Sequence, residues 1–268
     1  MIAKLVKDRK NAGLLAPEQF AKWMSSNRAN DKKHGRKVYR YHPRSDEHSK
    51  RLCALVLDDL KAVCPPLAEQ INTGEVLARI NAVVVFDNGK TKALDLAIGE
   101  PTRPRPGELT LQGLPAGTIG KVRLSCEAKQ CMTEHSKTKP RIFDELSSSH
   151  EIVHQGESSA IATGIVVVNA APRFASPLRQ SPTPAEIMFS KHSQPKVTAD
   201  MVRHLRGLKR RDGATGVGFD AFATIVVDCD NTSDCSLVTS PPAPQLAESD
   251  NYEAFLLKVA SSYAERYG

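Results

Sequence analysis

The sequence predicts an α/β protein in which a mixed central β-sheet is flanked by helices. Three observations carry that expectation. Apolar residues recur at helical spacing over 46–63, then give way to short β-rich runs from Ala82 onward. The stretch Ile161–Asn169 is almost continuously apolar, as in a strand buried on both faces. The order is helix, strand, strand, strand, helix, strand, and such alternation packs as layers. A chain of 268 residues, 40% of them apolar, is long enough for one well-buried domain with elaborations.

Residues 1–44 read as a basic N-terminal extension carrying a short helix at 17–24. Ser45 is placed to cap a helix beginning at Asp46, with Asp46 and Glu47 in its positive first turn. Leu52, Leu55, Val56, Leu60 and Val63 form its apolar face, and Pro65-Pro66 are expected to end it. A further helix is expected around 74–80. Residues 82–86 form a strand, Asp87-Asn88-Gly89-Lys90 a hairpin turn and 91–98 the returning strand. Proline and glycine make 99–117 a loop.

Strict alternation makes 119–129 the third strand, and Pro140 is assigned to the first turn of a helix reaching about His154. The core thus spans 45–170. The remainder, 171–268, holds an irregular Pro/Ser-rich segment to 195, a basic helix at 198–211 and a Gly-rich loop at 211–218. A strand at 222–228 and a closing amphipathic helix at 250–267 complete a single domain.

The formal net charge of +7 suits a polyanionic partner. Lys32, Lys33, His34, Arg36, Lys37, Arg40, His42 and Arg44 form one basic tract, interleaved with Tyr39 and Tyr41. Arg203, His204, Arg206, Lys209, Arg210 and Arg211 form a second. Either alone reads as a solvated face; together they suit a surface that tracks phosphates. No run approaches the roughly 20 apolar residues of a membrane span, and the start of the chain lacks a signal-peptide core, so no membrane contact and a cytoplasmic location are expected. The six cysteines make no Cys-x-x-Cys pair and are read as reduced thiols, with Cys126 in the core.

The chemistry centres on Lys121-Val-Arg-Leu-Ser-Cys-Glu-Ala-Lys129. Alternation turns Val122, Leu124, Cys126 and Ala128 one way, and Lys121, Arg123, Ser125, Glu127 and Lys129 the other. Glu127 and Lys129 therefore share a face, roughly 6 to 7 Å apart. A carboxylate there can hold a hard divalent ion, and a neighbouring ammonium can orient water or stabilise developing negative charge. Asp95 supplies a second carboxylate, flanked by the small residues Ala93, Ala97 and Gly99. A Glu-x-Lys pair alone is ordinary strand surface charge. What gives it weight is its order: a hairpin with Asp on its second strand, Glu-x-Lys on the third, then a helix and a buried strand.

That arrangement over about 45–170 resembles the PD-(D/E)XK nuclease superfamily, type II restriction endonucleases in particular, with Asp95, Glu127 and Lys129 at the motif positions and Leu94 in place of the proline. The resemblance implies a magnesium-dependent endonuclease acting on double-stranded DNA, with one or two Mg2+ ions held by Asp95 and Glu127 and Lys129 assisting the attacking water. It also suggests Glu47 as a further metal carboxylate, though an acidic residue in a first helical turn also complements the helix dipole. Asp87 is the fallback for Asp95.

Arg103 and Arg105 in the Pro/Gly-rich loop, His135 and Lys137 after the catalytic strand, and Arg203 and Arg206 on the basic helix are candidate DNA contacts. Arg179 and Gln180, flanked by Ser176 and Ser181, have the donors that read guanine and adenine edges. Glu145 can support the site from its helix. A homodimer is expected, because cutting both strands needs two sites and symmetry supplies them. Two other readings compete: a structure-specific repair nuclease of the same fold, and a non-catalytic nucleic-acid-binding protein. No Walker-type loop, Gly-x-Ser-x-Gly elbow or helix-turn-helix signature is present, and aromatics at 5% argue against extensive base stacking.

Overall fold

A six-stranded mixed sheet is the spine of the protein, and its strand order decides where the candidate residues meet. The computed structural model describes residues 1–26, 42, 45–86, 88–102, 118–176 and 188–268. In chain order the elements are α1 (Ile2–Asn11), α2 (Ala16–Ser26), α3 (Glu47–Val63), α4 (Pro65–Thr73), β1 (Leu77–Val85), β2 (Thr91–Pro101) and β3 (Ile119–Cys131). There follow α5 (His135–Gly156), β4 (Ile161–Asn169), β5 (Arg173–Ala175), β6 (Phe189–Lys191), α6 (Lys196–Leu205), β7 (Ala221–Asp228), β8 (Ser236–Leu237) and α7 (Tyr252–Tyr267). The main sheet runs β1-β2-β3-β4-β7-β8, while β5 and β6 pair separately.

The expected α-β-β-β-α-β order is present. β1, β2 and β3 form an antiparallel meander; β4 then joins β3 in parallel, and β7 joins β4 in parallel. A parallel neighbour needs a crossover, and α5 provides it. Every residue of β4 is buried, as its unbroken apolar run requires of a strand covered on both faces. One face packs against α1, α2, α3, α4 and α7 through Val6, Phe20, Leu52, Val56, Leu67, Leu124, Cys126, Ile165, Val167 and Phe255. The other packs against α5 and α6 through Leu94, Ala97, Val122, Ile142, Leu146, Val166, Val168, Met201 and Leu205.

Several boundaries differ from the sequence-based expectation. α3 ends at Val63 before Pro65-Pro66 as expected, but no helix covers 74–80: Pro65 also opens α4, Gly74 closes it at φ +76°, and β1 begins at Leu77. Spaced apolar residues such as Val76, Leu77 and Ile80 satisfy a half-buried edge strand as readily as a helix. α1 was not anticipated, and α1 and α2 contribute Val6, Phe20 and Met24 to the core. α5 starts at His135, which places Pro140 inside the helix rather than in its first turn. α6 ends at Leu205, and Arg210 and Arg211 return towards the sheet beside Phe219.

The strict alternation expected along β3 is broken by two register shifts in its pairing with β2. Ile98 pairs with Leu124 but Gly99 pairs with Val122, a register shift that turns Val122 to the α5 face while Leu124, Cys126 and Ala128 face α3. Arg123 consequently meets Glu75, Gln70 and Glu100, and does not share a face with Glu127. Gly99 is required here for close approach: a Cβ would lie 2.1 Å from the Lys121 carbonyl oxygen. It does not make room for a ligand.

The cysteine expectation holds for Cys53, Cys64, Cys126 and Cys131, which are free and buried, and fails for the other two. Cys229 and Cys235 form a disulfide, because the turn from β7 into β8 brings their Cα atoms to 4.4 Å.

Candidate active site

β2 and β3 part company where the candidate residues lie. Their pairing ends at Leu96 opposite Cys126. Beyond it, β2 from Thr91 to Leu94 pairs with β1, and β3 from Glu127 to Cys131 pairs with β4. Asp95 sits in this fork, and its Oδ2 accepts the Ala128 N–H at 2.9 Å, replacing a lost ladder bond with a side-chain bond. β2 and β3 pair with each other, so the long gap in sequence between Asp95 and Glu127 does not separate them.

Glu127 is 7% exposed. Its Oε1 accepts from Lys129 Nζ at 2.6 Å and its Oε2 from the Ser149 hydroxyl of α5 at 3.0 Å. Lys92 of β2 brings a second ammonium to 3.7 Å from Oε2. Lys129 also lies 3.6 Å from Glu145 of α5, which in turn binds Arg141 at 2.8 Å. The Glu127–Lys129 proximity expected from the strand is therefore present, Asp95 joins it, and Glu145 reaches the site from its helix.

The electrostatics are unbalanced at Asp95. Burial and then the negative charge of Glu127 push its carboxyl above the ordinary range, against the Ala128 N–H, Lys129 and Ser49. Two acids held together in a half-dry fork are the donor set a hard divalent cation takes, and neutralising their mutual repulsion favours its binding. Burial opposes the charge on Lys129, yet Glu127, with Asp95 and Glu145 beyond it, outweighs burial and holds the ammonium above its usual pKa.

Other side chains close the site. From α3, Ser49 reaches Asp95 and His48 lies 3.2 Å from the Gln130 side-chain nitrogen. Burial, with Lys129 nearby, lowers the His48 imidazole to about 4, so it is neutral at pH 7. Lys92 and Gln130 adjoin the motif in sequence, and that adjacency was the available signal for them. His48, Ser49 and Ser149 carry no local signal, because helix packing alone brings them in.

The remaining candidates fall elsewhere. Glu47 is exposed and lies 3.9 Å from Lys50 of its own helix; the α3 residue that reaches Asp95 is Ser49. His135 is neither a loop residue nor an exposed phosphate contact: it starts α5, is 4% exposed, and bonds the Asn169 carbonyl through Nε2 at 2.8 Å. Lys137 is exposed near Glu134. Arg203 pairs with Asp200, and Arg206 with Glu248 and Asp250, so neither cation is unopposed. Asp87, Arg103, Arg105, Arg179, Gln180 and Ser181 lie outside the described residues, as does the first basic tract apart from His42; Ser176 is described and buried. Among the described residues, no group of three or more His, Cys, Asp and Glu side chains is placed to hold a metal; the fork offers two carboxylates.

No family model matches this chain, and no curated protein matches it.

Proposed function

We propose that this chain is a magnesium-dependent endonuclease that hydrolyses phosphodiester bonds in duplex DNA. The observation that carries the reading is the β2–β3 fork, where Asp95, Glu127 and Lys129 converge although 31 residues separate Asp95 from the Glu-x-Lys pair in the chain. Asp95 and Glu127 would hold the ion. When bound, a divalent ion supplies Lewis acidity towards a phosphoryl oxygen and lowers the pKa of a coordinated water.

The chain's own groups have distinct tasks. Lys129 remains protonated at neutral pH, so it acts as a donor that orients water or stabilises charge on the phosphorane oxygens, not as a general base. Ser149 and Lys92 fix the Glu127 carboxylate, and the Ala128 N–H fixes that of Asp95. Glu145 holds Lys129 from α5, limiting the swing of a long flexible side chain. A restriction enzyme working as a homodimer is the form of this activity we favour, since one fork cuts one strand.

Supercoiled plasmid incubated with Mg2+ tests the reading. Wild type is expected to nick and linearise it, and Glu127→Ala and Asp95→Ala to lose cutting while retaining DNA binding. Undiminished cutting by Glu127→Ala overturns the site. Discrete fragments support restriction, and branch-dependent cutting supports a repair nuclease instead.

A further inference from the structure

The N-terminus of α5 carries charges of the wrong sign for a helix start. A helix N-terminus bears about half a positive charge and ordinarily attracts acidic side chains. The first turn of this 22-residue helix contains no acid; it reads His135-Ser136-Lys137. Glu134 precedes it but makes no side-chain capping bond, and Lys137 and Thr138 donate their N–H groups to the Glu134 carbonyl, leaving those of His135 and Ser136 at the open end. Across from this end, β6 and its continuation present Lys191 and His192.

Between them lies a pocket of about 300 Å³ lined by Ser136, Lys137, Ser190, Lys191 and Ser193 among others. One buried side chain of its lining that can donate to an anion has no partner among the described residues: Ser190, 4% exposed, has an unbonded hydroxyl. The unbonded Nδ1 of His135 takes no part, because its Nε2 donates to the Asn169 carbonyl and burial lowers the imidazole to about 4, which leaves Nδ1 a bare acceptor. A buried hydroxyl left without a partner is costly unless a ligand supplies the bond. The single carboxylate of the lining is that of Glu134, half exposed and 3.4 Å from Lys137. His192 is committed to the Ala171 carbonyl and Thr133 hydroxyl.

We propose that this pocket binds a phosphate oxyanion, and that its natural occupant is a backbone phosphate of the DNA held at the fork. The anion takes the open N–H groups of α5, the Ser136 and Ser190 hydroxyls, and the ammonium groups of Lys137 and Lys191. The assignment of DNA as the occupant rests on the nuclease reading; the anion site does not. Geometry connects the two places. Glu145, beside Lys129, is ten residues along α5 from His135, so the pocket lies about 15 Å from the fork along the helix axis. That reach corresponds to about four base steps of duplex. The pocket would then clamp the backbone a few nucleotides from the scissile bond and set its register.

The test uses the full chain and the double variant Lys137→Ala/Lys191→Ala, both exposed positions outside the catalytic machinery. Thermal unfolding is followed with inorganic phosphate or tripolyphosphate, against sodium chloride at equal ionic strength. Phosphate is expected to raise the wild-type Tm, and the variant to lose most of that rise. DNA binding is measured without Mg2+ over a salt series, where losing two phosphate contacts should lower the slope of log affinity against log salt by about 2. Ser190→Ala should weaken phosphate several-fold while leaving the salt slope nearly unchanged. Equal phosphate protection in wild type and double variant overturns the site. Protection lost with an unchanged DNA salt slope overturns DNA as occupant and leaves a free-phosphate site. Phosphate binding in a protein that neither binds nor cuts DNA overturns the nuclease reading and keeps the pocket.

Discussion

Two of the places where this protein buries acidic groups treat them in opposite ways. Asp220, 5% exposed at the start of β7, is saturated with donors. Its Oδ2 takes the Ala162 N–H at 2.9 Å and Arg211 Nε at 3.1 Å, and its Oδ1 takes Arg266 at 2.6 Å, with His154 at 3.5 Å. Burial alone would raise its carboxyl, but those donors outweigh burial and hold it below the ordinary range. At the fork, Asp95 faces another carboxylate, and burial with that charge raises it. Asp59 shows that a raised carboxyl is not the distinguishing mark. Burial pushes Asp59 up too, although Arg9, the Ala16 N–H and Tyr252 occupy both its oxygens. What sets the fork apart is that the largest influence on Asp95 after burial is a second acid, Glu127, whereas for Asp59 it is a set of donors. Asp220 ties α5 and α7 to the sheet, and Asp59 ties α3 to α1, α2 and α7; the fork holds negative charge that invites a cation.

The sharpest way to break this contrast is activity. Asp95→Ala and Glu127→Ala should each lower Mg2+-dependent cutting by about 1,000-fold or more, and Lys129→Ala by about 100- to 1,000-fold, while Asp220→Asn retains cutting in whatever fraction is folded. Cutting lost in Asp220→Asn at full folding would erase the distinction.

Stability should respond in the reverse order. Asp220→Ala leaves Arg211, whose side chain is 2% exposed, as an uncompensated buried cation and should cost about 3–5 kcal/mol in urea unfolding. The conservative Asp95→Asn should cost far less, because the amide oxygen can still accept the Ala128 N–H. A larger loss at Asp95 than at Asp220 would show the fork acid to be structural.

Mg2+ provides a third measure. At 100 times its dissociation constant an ion stabilises the folded state by about 2.7 kcal/mol. That gain should appear in wild type by calorimetry and vanish in Asp95→Asn, with Asp220→Asn keeping it. Equal Mg2+ stabilisation of wild type and Asp95→Asn would remove the fork as the ion site.

The smallest effect is the pH dependence. Asp95 has a folded pKa above its unfolded 3.8, so just above pH 3.8 the folded state binds more protons and stability falls as pH rises through that window. Asp95→Asn removes this cost, and its stability relative to wild type should grow from below pH 3.8 to neutrality without Mg2+. Asp220 has the opposite sign: its folded pKa is depressed, so its contribution is present above pH 3.8 and is lost as pH falls through the lower folded value. Parallel stability profiles for wild type and Asp95→Asn would count against charge repulsion at the fork.

Legibility followed the range of the interactions. Glu127 and Lys129 could be paired from sequence because two residues along one strand share a face whatever surrounds them. The buried character of Ile161–Asn169, the hairpin joining β1 to β2 and the α-β-β-β-α-β order were readable for the same reason: each is a local period or turn. Expectations failed where local pattern was degenerate, as at 74–80, or where a partner strand intervened, as at the Gly99–Val122 shift. Asp95 neighbours Glu127 as the order of elements implies, although the sequence displays no contact between them.

The sequence by itself therefore determined β2, β3, β4 and β7, the polar pair on β3 and the excess of positive charge, all consequences of backbone period and composition. Only the tertiary structure decided that β2 and β3 separate beside Asp95, that α3 and α5 deliver Ser49, Ser149 and Glu145, and that Cys229 meets Cys235. It also decided that Asp220 is neutralised while Asp95 is opposed by another acid. The physical reason is that electrostatics and packing depend on distance in space, and residues far apart in the chain acquire a distance only when the sheet closes around them.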